Sequence, residues 1–197
     1  MKFVLATANP GKIKEMRDIL ASLNIDIVTR QELGIDIDLE ETGTTFFDNA
    51  TIKATAICRV TGLPAIADDS GLSVEALGGA PGVYSSSYGG EGLNDIDRCR
   101  FLLRKMISME QRNAKFVCFI VCVFPDGRII SAEGECSGEI TDFPRGNRGF
   151  GYDPVFRVES IGKTMAEMTM EEKNGISHRS IALRAFSQKL KAAELGL

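Results

Sequence analysis

The stretch Asp68-Asp69-Ser70-Gly71 constrains the fold of this chain more than any other, because it follows directly on the apolar run Leu63-Pro64-Ala65-Ile66-Ala67. An apolar run closed by glycine reads as a buried strand that runs out into a loop. Ionised carboxylates at such a place are costly unless a cation or strong donors meet them. Successive side chains on a strand point to opposite faces, so only one of the two carboxylates faces a given cleft. On local pattern alone an Asp-Gly turn explains the segment about as well.

The rest of the chain supplies elements around that strand. Phe3 to Ala6 reads as a first buried strand, followed by the loop Thr7-Ala8-Asn9-Pro10-Gly11-Lys12. Asn9 suits an N-cap and Pro10 the first helical position, so a helix starts there with its free N–H groups outward. Its apolar stripe is Ile13, Met16, Ile19, Leu20 and Leu23. Ile25 to Val28 reads as a second strand. A helix from Phe46 to Val60 turns Phe47, Ala50, Ala54 and Ile57 inward and ends at Gly62, with Asn49 and Lys53 one turn apart on another face. A glycine-rich segment covers 78–92, and Arg98 to Ile107 is helical. Lys115 to Phe124 and Arg128 to Glu133 form a hairpin about Pro125-Asp126-Gly127. A loop covers Thr141 to Pro154, and a last helix starts near Ser177 with Ala182, Ala185, Phe186 and Leu190 as its stripe. Crossover-linked strands together with a hairpin indicate an α/β protein with a mixed sheet.

Bulk properties narrow the function classes. A chain of 197 residues, 44% hydrophobic, accommodates one large domain or a two-lobed one. A net charge of −4 argues against a large nucleic-acid-binding face. No apolar run approaches the ~20 residues of a membrane span, and the first residues turn polar too soon for a signal peptide. Cys58, Cys99, Cys118, Cys122 and Cys136 are odd in number and irregular in spacing, which indicates buried thiols in a reducing cytoplasm rather than a disulfide framework.

Four clusters carry candidate chemistry. The Thr7–Lys12 loop at a helix N-terminus is a ready anion site, although Ile13 stands where a Walker A loop has its Ser or Thr. Glu40-Glu41 with Asp69 could hold a magnesium ion, which takes one or two carboxylates and completes its shell with water and phosphate oxygens. Phe150-Gly151-Tyr152-Asp153-Pro154 offers an aromatic for stacking on a base in a loop whose glycines admit close backbone approach. Ser177-His178-Arg179 puts cations at a helix N-terminus, where the dipole opposes them; Lys173 lies just before. Each also has an ordinary structural reading: a βα turn, a solvated acidic loop, a turn with a packed aromatic, a satisfied histidine.

Taken together these stretches resemble the inosine triphosphate pyrophosphatase family. The matching segments are Leu5 to Lys12, Glu40 to Phe46, Ala65 to Leu72, Leu77 to Tyr84, Gly149 to Pro154, and Glu171-Glu172-Lys173 with Ser177-His178-Arg179. The resemblance implies a two-lobed single domain over 1–197, with a mixed sheet and a central cleft. It further implies Mg²⁺-dependent hydrolysis of ITP, dITP and XTP to the monophosphate and pyrophosphate, usually by a homodimer in the cytoplasm, with no nucleic-acid or membrane partner. Carried over by residue, Thr7, Ala8, Asn9, Pro10, Gly11 and Lys12 grip phosphates with Lys53 nearby. Glu40 and Asp69 serve the metal, and Asp69 is the general base. Ser70, Phe150, Gly151, Tyr152, Asp153, Lys173, His178 and Arg179 hold the nucleotide. Two positions depart from the family pattern: Ser87 stands where an arginine is common, and Ala8 replaces a frequent glycine. Two other readings remain: a same-fold pyrophosphatase for modified pyrimidine nucleotides, and a nucleotide-binding sensor without catalysis.

Overall fold

A computed structural model describes residues 1–23 and 25–193. The elements in chain order are β1 (Lys2–Leu5), α1 (Pro10–Leu20), β2 (Asp26–Thr29), α2 (Phe46–Thr61), β3 (Ala65–Val74) and α3 (Asp95–Lys105). They continue with β4 (Asn113–Val123), β5 (Ile129–Ile140), β6 (Phe156–Val158), α4 (Met170–Ile176) and α5 (His178–Ala192). The strands form one sheet in the order β2-β1-β3-β4-β5-β6. β1 runs parallel to β2 and β3, and β5 runs antiparallel to β6, so the expected mixed α/β sheet is observed.

The chain divides into two compact units. The first contains Met1–Asp69, Cys118–Gly134 and the chain from His178 onward. Strand alternation builds its two cores. Phe3, Leu5, Ile66, Cys118, Ile120 and Cys122 face Met16 and Leu20 of α1 and Leu183 and Phe186 of α5. Val4, Ala65, Ala67, Val121 and Val123 face Ala50, Ala54 and Ile57 of α2. The small alanines on this second face let α2 lie close to the sheet. The second unit, Ser70–Val117 and Glu135–Ser177, has its own core of Leu72, Val74, Leu102, Phe116, Ile140, Tyr152, Phe156 and Met165 among others.

Several expectations are corrected. β3 does not run out into a loop at Gly71 but continues to Val74, because Leu72 and Val74 bury in the second core. Phe47, expected inward, is 37% exposed and packs edge-on against Phe119 instead. α3 begins at Asp95, capped by the Asn94 side chain. β6 and α4 lie where no element was expected. All five thiols are free and buried.

Candidate active site

Alternation along β3 separates the two carboxylates. Ile66 faces α1 and α5 while Ala67 faces α2, so Asp68 turns toward α1 and α5 and Asp69 toward α2. Each meets a different set of cations.

Asp68 is buried, with Oδ2 2.8 Å from Lys12 Nζ on α1 and 3.3 Å from Arg179 Nε on α5. Arg179, only 2% exposed, also pairs through Nη1 with Glu15 of α1. Burial pushes the Asp68 carboxyl up, but Lys12, Arg179 and Lys53 outweigh it and hold the group well below the usual carboxylate range. Burial likewise opposes charge on Arg179, and Asp68 and Glu15 more than restore it. Asp68 is therefore a fixed anion that ties the first helix and the last to the central strand. α5 comes close enough because Gly134 of β5 has no side chain: a Cβ there would overlap the His178 carbonyl oxygen and the Ala182 nitrogen.

The loop before α1 differs from expectation in one respect. Asn9 is the N-cap as expected, but its Oδ1 accepts the N–H groups of Gly11 and Lys12 at 2.9 and 3.2 Å. Those donors are thus engaged by the cap rather than directed outward. Thr7 Oγ1 accepts the Asn9 N–H, which shapes the loop, and Ala8 is exposed on it.

Asp69 sits in a second group. Lys53 Nζ is 3.1 Å from Asp69 Oδ1 and 2.8 Å from Glu41 Oε1. Asn49, one helical turn before Lys53, directs its amide NH₂ at Asp69 Oδ2 (3.4 Å) and accepts the Gly43 N–H at 2.8 Å. Asn49 therefore fastens the acidic loop to the same carboxylate that Lys53 holds. Burial raises the pKa of Asp69 and Glu41 adds to the rise, against the opposing pull of Lys53 and Lys12. Lys53 stays firmly protonated, since Asp69, Asp68 and Glu41 overcome the effect of its burial. Among the described residues no three His, Cys, Asp or Glu side chains gather into a metal-holding group. A magnesium site does not require three, because phosphate and water complete the shell. Glu41 and Asp69 meet on the one Lys53 ammonium, and Glu40, the neighbour of Glu41, is exposed as Glu41 is.

The second unit holds the remaining candidates, Ser70, Phe150 to Asp153, and Lys173. Lys173 Nζ lies 2.6 Å from Asp153 Oδ2 and 4.7 Å from the centre of the Phe150 ring, and both ion-pair side chains are about as buried as core residues. The same Asp153 oxygen accepts the Phe150 N–H at 2.9 Å. Gly151 donates its N–H to Asp95 at 2.7 Å, and the Tyr152 hydroxyl donates to the Ser85 carbonyl at 2.9 Å. Phe150 is thus presented from a loop held at every residue. Ser87 is exposed, its hydroxyl 3.4 Å from the Tyr84 carbonyl.

The Ham1 family model matches residues 3–189. The chain belongs to the Ham1 family. It is 49% identical over 193 residues to a dITP/XTP pyrophosphatase of Thermus thermophilus, covering 97% of this chain and 92% of that protein. The dITP/XTP pyrophosphatase of Pectobacterium atrosepticum is also 49% identical, over 98% of this chain and 99% of its own. Among solved structures, a HAM1 protein from Coxiella burnetii superposes with a TM-score of 0.90 at 42% identity, over 98% of this chain and 99% of that one. The family expectation and the mixed α/β fold are both borne out.

Glu15, Asn49 and Asp95 each hold a candidate residue in place, a role the sequence alone does not assign them. Glu15 shares a helix face with Lys12 three residues earlier, which is the signal that could have found it. Asn49 stands one turn from Lys53, but no pattern there assigns it a role. Asp95, the partner of the Gly151 N–H, lies 56 residues away in sequence, and no local pattern joins them.

Proposed function

We propose that this chain hydrolyses noncanonical purine nucleoside triphosphates, dITP, XTP and ITP, to the monophosphate and pyrophosphate. The observation that carries this reading is an intact Asp69–Lys53–Glu41 group in a chain whose full-length relatives are named dITP/XTP pyrophosphatase. Asp69 is the general base: a carboxylate with its pKa raised by burial is a better proton acceptor for an attacking water than an ordinary one. Cleavage falls between the α and β phosphates, and the water proton passes to Asp69. Lys12 and Lys53 neutralise phosphate charge, with Thr7 to Gly11 shaping the loop around it. Asp69, with Glu40 or Glu41, would hold Mg²⁺, which supplies further charge neutralisation on the phosphate oxygens.

On the base side, Phe150 stacks on the purine from the loop fixed by Asp153 and Lys173, with Ser70, Gly151 and Tyr152 adjoining. His178 and Arg179 read the 6-oxo group; Arg179 does so with its guanidinium already seated on Glu15 and Asp68. A donor aimed at a 6-oxo group leaves the 6-amino hydrogens of adenine facing another donor, and such a mismatch rejects a substrate strongly. The chain 1–197 is read as one domain whose two lobes are the two compact units. A homodimer and a cytoplasmic location belong to the same reading, and five free buried thiols suit a reducing compartment. Among the described residues no helix is long and apolar enough to cross a membrane.

The test is release of pyrophosphate and orthophosphate, with Mg²⁺, from ITP, dITP, XTP, GTP, ATP and CTP. Pyrophosphate from the first three, with little from the others, is the expected result. Orthophosphate release, a preference for CTP, or binding without turnover would overturn it.

A further inference from the structure

Glu41 comes from a loop and Asp69 from β3, and what joins them is the Lys53 ammonium, within 2.8 Å of one and 3.1 Å of the other. Lys53 is 8% exposed and Asp69 5%. Glu41 reaches in from an exposed position toward the buried Asp69, and two carboxylates brought to one point repel each other unless a cation stands between them. Lys53 is that cation, and it lies on the oxygens that a divalent metal would use. An ammonium and a divalent ion on the same pair of oxygens would repel each other, most of all beside the buried Asp69 oxygen. Lysine carries its charge on a flexible four-carbon stem, so the ammonium can move while the helix stays in place. Asn49 has no charge to move: by holding both Asp69 and the Gly43 N–H, it keeps carboxylate and loop in register through such an exchange.

We propose that Lys53 is an internal stand-in for the metal, holding Glu41 and Asp69 together until a triphosphate offers its ammonium other anionic oxygens and a divalent cation takes its place. This rests on the metal-assisted reading above and adds an order to it. Without nucleotide, metal must compete with Lys53 and binds weakly. With nucleotide, the ammonium has phosphate oxygens to pair with and the carboxylates are released to the metal. Metal and nucleotide then raise each other's affinity by the same factor, as linkage requires. The hydrolytic site assembles only on substrate.

Manganese binding followed by electron paramagnetic resonance tests this without recourse to turnover. The wild-type protein alone is expected to bind Mn²⁺ weakly, and a non-hydrolysable α,β-imido analogue of dITP to tighten binding by about tenfold or more. Lys53→Met is expected to bind Mn²⁺ about tenfold more tightly than wild type without nucleotide. Lys53→Arg, which keeps the charge, should remain as weak as wild type. Adding Asp69→Asn to Lys53→Met should remove the gain; a gain that survives it puts the manganese elsewhere and overturns the proposal. So does a Lys53→Met protein that binds no more tightly than wild type, or Lys53→Arg binding as tightly as Lys53→Met. Should Lys53→Met fail to fold, the wild-type protein decides: equal Mn²⁺ affinity with and without the analogue overturns the proposal. Pyrophosphate release from dITP by wild type is scored separately. Turnover without the manganese coupling would remove the role of Lys53 and leave the enzymatic reading intact, whereas loss of turnover would strike that reading.

Discussion

Asp68 and Asp69 are neighbours of identical chemistry whose surroundings give them opposite work. Asp68 is enclosed by Lys12 and Arg179 and kept ionised, while Asp69 is buried with weaker compensation and its pKa is raised. Asp69→Asn should therefore abolish pyrophosphate release yet leave the fold intact, checked by turnover beside thermal denaturation. A near-wild-type rate would take the base role from Asp69. Asp68→Asn should do the reverse in kind. It leaves the buried Arg179 and the half-buried Lys12 short of an anion, a change that costs about 3 kcal/mol when a buried pair is broken. Urea denaturation measures it, and a loss well under 1 kcal/mol would show that Glu15 alone suffices for Arg179. The doublet is legible in the sequence, and so is the alternation that splits it. Which of its members meets which cation is not, because Arg179 lies 111 residues away and Glu15 looks like any helix-surface glutamate.

At the scale of elements, glycine decides how closely pieces of each unit approach. Gly134 admits the backbone at the start of α5, so Gly134→Ala should push that helix outward and destabilise the protein by about 2 kcal/mol, as overpacking does. A melting temperature unchanged from wild type would refute this. Gly149 has φ +76°, and a Cβ there would overlap Asp153 Oδ2. Gly149→Ala should thus dislodge Asp153 from the Phe150 N–H and from Lys173. The expected readout is a KM for dITP raised about tenfold, equivalent to ~1.4 kcal/mol, with kcat little changed. Long periodic elements such as α1, α2 and α5 are readable because their apolar stripes repeat over several turns. β6, with three residues, is too short to show a period. α4 does carry a signal: Thr169 and Glu172 form a capping box, visible as Thr-x-x-Glu in the sequence. A sequence reading cuts β3 short because Ser70-Gly71 looks like punctuation, although the alternation of Leu72 and Val74 beyond it continues the strand.

At the scale of the whole molecule, charge is distributed unevenly between surface and interior, and stability should follow the interior. Exposed pairs such as Arg17–Glu32, Lys115–Glu135 and Arg128–Asp126 contribute little and are screened by salt. The buried Asp68, Arg179 and Glu15, with the half-buried Lys12 at their edge, are screened far less. Raising salt should accordingly leave the denaturation midpoint almost unmoved, while acid should not. The groups that face Asp68 are Lys12, Arg179 and Lys53, with Cys118 and Asp69 also near, and their sum depresses its folded pKa below the ordinary 3.8. A depressed carboxyl stabilises the fold at every pH above its unfolded value and loses that contribution as pH falls toward the folded one. Asp69, raised in the fold, has the opposite sign: it favours folding below its unfolded pKa and ceases to do so as pH rises through the folded value. Acidification from neutrality should then first relieve Asp69 and, only below about pH 4, undo Asp68. Urea midpoints measured from pH 7 to pH 2 should hold or rise slightly at first and then fall steeply. In Asp68→Asn the final fall should be shallower from a lower start. Curves for wild type and Asp68→Asn that run parallel down to pH 2 would show that the acid limb belongs to other carboxylates.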